Sequence, residues 1–443
     1  MIRHINRVLL LSLILMFTVK TEAQEVVKLS VQDAVSIGLE NSKTLKISNA
    51  KITIAQQKVM EINANRYPSL KFITGYTRLS DVPAFTFTLP FPGSQPVTIV
   101  PVVLDNYVMK LSAAQPVFTG FRLQSQEQAA DYLAKASQSD FQKDKVELIA
   151  MIKSQYWNII KAEQFVRLAQ ESVITLKAHL QDIMLMMKAG MVTNNDVMKV
   201  QVQVSDADYR LIEAKNQVQL AMIGLNNTLR LPLNTQLTLL SSYNEAPQQS
   251  LAMDGFLEDA IKNRPDIVAN DFRVKASEQN IQAIKSSWYP QINVFAEYNY
   301  NNPNQRIVPA RSQFDGTWAT GVQLSMDIWN WGITSNQTNQ AEAQLSQAID
   351  AAQLTKEGIQ TEVMQSFVLL QQALEKIGIT KKNIEQAEEN FRTISQKFKA
   401  GNALTTDVTD AQTALLQAKV NNIQAYIDYE LALVRMDKAI GKQ

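Results

Sequence analysis

Few residues in this 443-residue chain could do chemistry. It has two histidines, His4 and His179, and no cysteine, so thiolate nucleophiles, disulfides and cysteine-based metal sites are excluded together. No Gly-x-Ser-x-Gly, His-Glu-x-x-His or Gly-x-x-x-x-Gly-Lys pattern occurs, which leaves acyl transfer, zinc hydrolysis and phosphate-loop chemistry without their usual side chains. His179 stands mid-helix with no partner set beside it and reads as an ordinary helix residue. Catalysis would fall to carboxylates alone, and these are plentiful on any solvated helix. Asp407 and Asp410 have a spacing that matters, because residues three apart at a helix start share one face; both are also favoured there simply by the helix dipole. The residues describe a non-enzyme, with no cofactor and no metal site.

The elements that must position these residues occur twice. Residues 116–230 can be laid on 327–441 without a gap, at the offset that places Phe118 on Trp329, Lys188-Ala189-Gly190 on Lys399-Ala400-Gly401 and Asp196 on Asp407. Ahead of these stretches, Asp33-Ala34-Val35 matches Asp259-Ala260-Ile261, and Tyr67-Pro68 matches Tyr289-Pro290. A duplication of this kind builds pseudo-symmetric architecture with function on the shared axis. We expect a signal peptide over residues 1–23, a first repeat over 24–247 and a second over 248–443.

The signal assignment rests on Arg3 and Arg7, an apolar run over 8–19, and the small-residue site Thr21-Glu22-Ala23. Cleavage there removes Arg3, Arg7, Lys20 and Glu22, leaving 40 basic and 41 acidic side chains. That balance gives no electrostatic reason to expect nucleic acid. No later segment holds 18 consecutive apolar residues, so an exported product without a spanning helix is either soluble or a β-barrel.

Within one repeat, residues 29–66 carry a capping-box start, Ser30-x-x-Asp33, then apolar residues at helical spacing, and Tyr67-Pro68 ends the helix. The equivalent helix is expected over 254–287. The period then changes from 3.6 to 2: Ile292, Val294, Ala296, Tyr298 and Tyr300 alternate with polar neighbours, as do Trp318, Thr320, Val322, Leu324, Met326 and Ile328. An earlier hairpin spans about 69–79 and 107–118. Its loop holds Pro83, Pro90, Pro92, Pro96 and Pro101 and is expected to be irregular. Such alternation with aromatics toward the ends is a weak signature of transmembrane β-barrel strands, and the pattern alone fits the edge of a soluble β-sandwich equally well. Only four strands are visible, too few to close, so a membrane barrel requires several chains in one wall.

Long proline-free helices follow, over 123–188 and 334–399, each about 100 Å at 1.5 Å per residue. Each turns at a glycine, Gly190 or Gly401, and returns over 196–229 or 406–440. Small and apolar residues at three-to-four spacing (Ala341, Leu345, Ala348 and Ala352; Val408, Ala411, Leu415 and Ala418) predict coiled-coil-like packing of antiparallel neighbours. A soluble periplasmic coiled-coil adaptor or scaffold would share these helices but not the aromatic strands.

The repeated order of helix, Tyr-Pro stop, hairpin, long helix, glycine turn and return helix resembles the TolC-like outer-membrane efflux proteins (outer membrane factors) across the mature chain. Specific matches are Asp259-Ala260-Ile261-Lys262-Asn263-Arg264-Pro265-Asp266-Ile267, the junction Asp327-Ile328-Trp329-Asn330-Trp331-Gly332, and the tip from Lys399 to Ala411. The resemblance implies an α+β membrane protein in the outer membrane of a Gram-negative bacterium. It would be a homotrimeric β-barrel of about twelve strands, surrounded by outer-membrane lipid and continued by a periplasmic α-helical barrel. It further implies a passive exit duct for efflux or type I secretion, with a periplasmic adaptor (membrane fusion) protein and an inner-membrane pump as partners. The adaptor would meet the tips at Gly190, Gly401, Lys188 and Lys399. Asp407 and Asp410 match by spacing the carboxylate rings of a periplasmic gate, and Asp196 matches one lock partner. Phe398 and Ala403 stand where the family's best-known member has a tyrosine and an arginine, which implies a differently held closed state and little role for Phe398 in ion selectivity.

Overall fold

The computed structural model describes residues 27–83, 85–100, 102–240 and 253–442; the expected signal peptide and part of the link between repeats lie outside them. In chain order the elements are β1 (Val27–Leu29), α1 (Val31–Asn41), α2 (Lys43–Ala64), β2 (Ser69–Arg78), β3 (Phe85–Phe87), β4 (Val97–Val100), β5 (Asp105–Phe118), α3 (Arg122–Lys188), α4 (Asn194–Leu229) and β6 (Leu237–Leu239). The second half holds α5 (Met253–Asn263), α6 (Pro265–Lys285), a 3-10 turn (Ser286–Trp288), β7 (Gln291–Asn301), β8 (Asp315–Ser325), α7 (Ile333–Lys399) and α8 (Thr405–Ala439). Among the described residues no helix is long and apolar enough to cross a membrane.

The chain divides into two compact units, each drawing on both halves of the sequence. One contains Lys46–Lys143 and Pro265–Gly358 and is centred on a four-stranded antiparallel sheet in the order β2-β5-β7-β8. Its register places Phe72 opposite Leu111, Leu111 opposite Tyr298, and Tyr298 opposite Trp318, so one face is an apolar and aromatic band. On the other face lie Lys71, Lys110, Ser112, Asn293, Glu297, Asn299 and Gln323, with Lys110 and Glu297 ion-paired between β5 and β7. Alternation in the sequence thus becomes two chemically different walls. Helices beside the sheet are tied by Asn270 Nδ2 donating to Thr355 Oγ1 at 2.8 Å and by stacking of Tyr132 on Phe272.

The other unit contains the chain up to Leu45, Asp144–Arg264 and everything from Ile359 on. Here β1 pairs in parallel with β6, and the fully buried Tyr156 of α3 donates its hydroxyl proton to Leu29 O at 3.0 Å. Arg264, at the helix break before Pro265, donates to Glu362 Oε2 at 2.9 Å and to Lys438 O at 3.1 Å. One guanidinium therefore joins α7 to the last turn of α8, where orphan carbonyls need donors. This gives the Asn263-Arg264-Pro265-Asp266 segment a packing role.

Four expectations are corrected. Residues 29–66 form two helices rather than one, because Ser42 leaves the helical region (ψ 118°) and its Oγ accepts the Leu45 N–H, and Leu29 belongs to β1. Residues 254–287 likewise break at Arg264, since Pro265 disfavours helix at its predecessor and supplies the first turn of α6. The proline-rich loop is not wholly irregular: β3 and β4 pair within it because the prolines flank the Phe/Thr and Val/Ile runs instead of interrupting them. The strand expected to reach Ile328 stops at Ser325, and the described residues hold eight strands, of which four form the large sheet.

Arg264→Ala leaves Glu362 and the helix-end carbonyls of Lys438 and Ala439, the latter accepting at 3.4 Å, short of a donor while half-buried. Thermal or denaturant unfolding in detergent should show a loss of roughly 2–3 kcal/mol, and Arg264→Lys should recover only part of it.

Candidate functional site: the two helix tips

Each tip is built twice from the same parts. At the end of α3, Gly190 sits at φ 75°; its N–H bonds Met187 O at 3.0 Å and Met191 N–H bonds Met186 O at 2.9 Å. At the end of α7, Gly401 sits at φ 78°, with Gly401 N–H to Phe398 O at 2.9 Å and Asn402 N–H to Lys397 O at 2.8 Å. These are paired Schellman closures, which require a left-handed residue that glycine supplies without a Cβ penalty. Lys188 and Lys399 occupy the last turns and complement the negative helix ends. Both lysines and both glycines are exposed.

The return helices begin with carboxylates in different states of attachment. Asp196 closes a capping box: its Oδ2 accepts from Thr193 N at 3.0 Å and from Thr193 Oγ1 at 2.7 Å, and these bonds hold its carboxyl below the usual range. Asp407, its equivalent, accepts only Leu404 N–H, at 2.9 Å, because leucine has replaced the capping hydroxyl. Asp410 is exposed, one turn further along. Asp407 and Asp410 thus stay available to solvent on one face, whereas Asp196 is committed to its cap and to Lys199 at 3.8 Å.

Phe398 and Ala403 take a different position. Phe398 is 5% exposed in a core with Ile183, Val197, Val200 and Val408, against which Ala403, Phe391 and Ile394 pack. His179 is also in this core: 8% exposed, its ring meets Phe398 edge-on at 5.3 Å, and its Nε2 has no hydrogen-bond partner. Burial lowers the imidazole's affinity for a proton, opposed only by the nearby Asp182. Sequence reasoning placed His179 on a helix without finding this setting, since burial depends on Phe398, which is more than 200 residues away.

Sequence reasoning also passed over a cavity of about 390 Å³ between α3, α4 and α8, lined by Phe165, Leu176, Gln203, Arg210, Gln412 and Leu416. The side-chain oxygens of Gln203 and Gln412 are buried there without partners. Its only trace in the sequence is glutamine beside the apolar stripe that includes Val408 and Ala411. Among the described residues, no group of three or more His, Asp or Glu could hold a metal ion.

Comparisons with known proteins agree with this architecture. The family model described as "Outer membrane efflux protein" matches residues 34–229 and 256–442, one match per repeat. The outer membrane efflux protein BepC of Brucella suis is 22% identical over 329 residues, covering 74% of this chain and 70% of BepC. The pyoverdine export outer membrane protein OpmQ of Pseudomonas putida is 22% identical over 344 residues, covering 76% and 70%. Among solved structures, the outer membrane protein VceC of Vibrio cholerae superimposes with a TM-score of 0.76 at 16% identity, over 93% of this chain and 96% of VceC.

Two outcomes follow from the tip core. Phe398→Ala removes a buried ring shared by both hairpins and should lower tip stability by about 3 kcal/mol, read as faster hydrogen exchange around residues 183–200 and 394–411. The His179 contribution has a definite sign: the unfolded imidazole takes a proton more readily than the buried one, so stability is full above the ordinary value of 6.5 and declines as pH falls below it. Exchange at the tips, corrected for intrinsic rates, should accelerate from pH 7.5 to pH 5.5, and His179→Gln should flatten that response.

Proposed function

We propose a working mechanism from one premise: the chain belongs to the outer membrane efflux protein family. It is an outer-membrane exit duct for efflux or secretion, with its strands in the membrane and its helices extending into the periplasm. The observation that carries the mechanism is the four-stranded sheet with one apolar face, one polar face and two open edges. In lipid an open edge leaves N–H and C=O groups without partners at several kcal/mol each, so copies of the chain share one closed wall. Three copies supply twelve strands, with the apolar face toward lipid and the polar face toward water. Cargo then passes without a chemical step in this protein, and no catalytic residue is assigned.

The tips form the periplasmic entrance. Gly190 and Gly401, with Lys188 and Lys399 two residues before them, present exposed loops to a periplasmic adaptor, and an inner-membrane pump supplies the energy. Neither glycine has a neighbour within 3.8 Å of where a Cβ would stand, so these loops tolerate contact from outside more readily than a buried turn would. Asp407 and Asp410 from three copies place six carboxylates around the axis and select cations there. Asp196 does not add to that ring, because Thr193 and Lys199 hold it. Phe398 and Ala403 act by fixing the spacing between the two hairpins.

In planar bilayers, Asp407→Asn combined with Asp410→Asn should abolish cation selectivity and block by multivalent cations, while Asp196→Asn changes selectivity little. Unchanged selectivity in the double variant would remove the carboxylate ring from the mechanism. Bulky residues at both Gly190 and Gly401 should stop export in cells while assembly and membrane insertion persist; continued export would place adaptor docking elsewhere.

A further inference from the structure

The two hairpins are superposable copies in register as well as in sequence. In the first, Ser69 faces Ala114 and Arg78 faces Asp105; in the second, Gln291 faces Ser325. Ser69 and Gln291 each directly follow a Tyr-Pro stop, and Ala114 falls on Ser325 when the offset of the long repeat is carried two residues upstream, so the same pair recurs. The hairpins are joined through β5 and β7, with Ala113 opposite Ala296, Ala114 opposite Phe295, Pro116 opposite Asn293 and Phe118 opposite Ile292. That leaves β2 and β8 as the open edges.

Strand length shows what the β8 edge lacks. β5 runs 14 residues, to Phe118, while its copy β8 runs 11 and stops at Ser325, the equivalent of Ala114. The four residues that β5 has in addition, 115–118, lie beyond the end of β2 and are held by β7 alone. The equivalents of those four residues are Met326 to Trp329, whose alternation continues the strand pattern although no strand forms. Within the chain no strand lies opposite them, since β7 begins at Gln291, opposite Ser325.

We infer that β8 of one copy pairs with β2 of a second copy in the register that repeats the β5–β7 pairing. This inference rests on the trimeric reading above and adds the register and its fixing contact. Transferring the pairs by the two sequence equivalences sets Leu324 opposite Thr74 of the second copy, Ser325 opposite Ile73, Asp327 opposite Lys71 and Trp329 opposite Leu70. Lys71 and Asp327 are both exposed and neither has an ion-pair partner among the described residues; Lys71 stands on the polar face of β2, and Asp327, two residues past the end of β8, continues the alternation of Gln323 and Ser325. Within the chain, the β5–β7 junction is fixed by Lys110 and Glu297, whose equivalents at the seam are Gly321 and Gly75. The seam therefore carries its own charge pair in a new place, where the β5–β7 junction has Pro116 and Asn293. A slip of one residue would turn apolar side chains to the polar wall, and a slip of two would part Lys71 from Asp327.

The natural absence of cysteine makes the register directly testable in the full-length, membrane-extracted protein. Residues directly opposite lie within disulfide reach, whereas positions two residues along do not, and of two adjacent opposite pairs one is the closer, non-hydrogen-bonded kind. Thr74→Cys with Leu324→Cys, and Ile73→Cys with Ser325→Cys, should on oxidation link most of the chains into a covalent ladder ending at three. Thr74→Cys with Val322→Cys or with Met326→Cys should link little. Lys71→Asp or Asp327→Lys alone should lower the temperature at which the oligomer dissociates on an unboiled gel, and the double exchange should restore it. Oligomers that cross-link best through an offset pair, or an exchange that fails to restore stability, would overturn this register while leaving the assembly standing. Absence of any oligomer in the unsubstituted protein would instead overturn the trimeric reading on which it rests.

Discussion

Two rows of unpaired backbone groups, along β2 and β8, are the constraint on which the rest of this protein depends. In water such edges could be solvated or shielded by charge; beside hydrocarbon they must be paired. Among the described residues no strand pairs with either edge of the four-stranded sheet, and its aromatic face cannot be left in water cheaply. Closure by copies of the same chain satisfies both demands at once. It also explains why the two hairpins keep identical register: a wall made of repeats closes smoothly only if the junction between chains resembles the junction within one.

The helices answer a related constraint. A 67-residue helix gains little from intrinsic propensity and must bury a stripe along its length. In the unit that holds the tips, it does so through Ile183, Val197, Val200, Phe398 and Val408, where both hairpins contribute to one small core. That core leaves the chemistry outside: lysines at helix ends, glycines at the reversals, and the carboxylates of Asp407 and Asp410 facing solvent. Duplication has allowed the two tips to diverge by single residues. Thr193 captures Asp196 in a full capping box, whereas Leu404 leaves Asp407 with one backbone bond, so the two copies of one carboxylate are held to different degrees.

Much of this was legible in the sequence because the signals were periodic and repeated. The α3 and α7 helices begin within one residue of their expected starts, and Gly190 and Gly401 have the positive φ that a reversal asks for. What was not legible depended on partners distant in the chain. Leu29 looked helical by spacing yet pairs with Leu239, and nothing near Leu29 announces that strand. Ser42 reads as a helix interior until its hydroxyl is seen capping the next helix. His179 looked unremarkable because its burial is decided by Phe398. The strand that was expected to continue to Ile328 stops at Ser325, because its partner β7 begins only at Gln291, after Pro290, and the periodicity of residues 318–328 says nothing of where that partner starts.

The central claim is that one chain is a third of a shared duct. Native mass spectrometry of the mature protein, released from the outer membrane in mild detergent, tests it most directly. The account requires a single species at three times the mass of the mature chain, dissociating to monomers on heating. A monodisperse monomer that still inserts into membranes and conducts ions would contradict it.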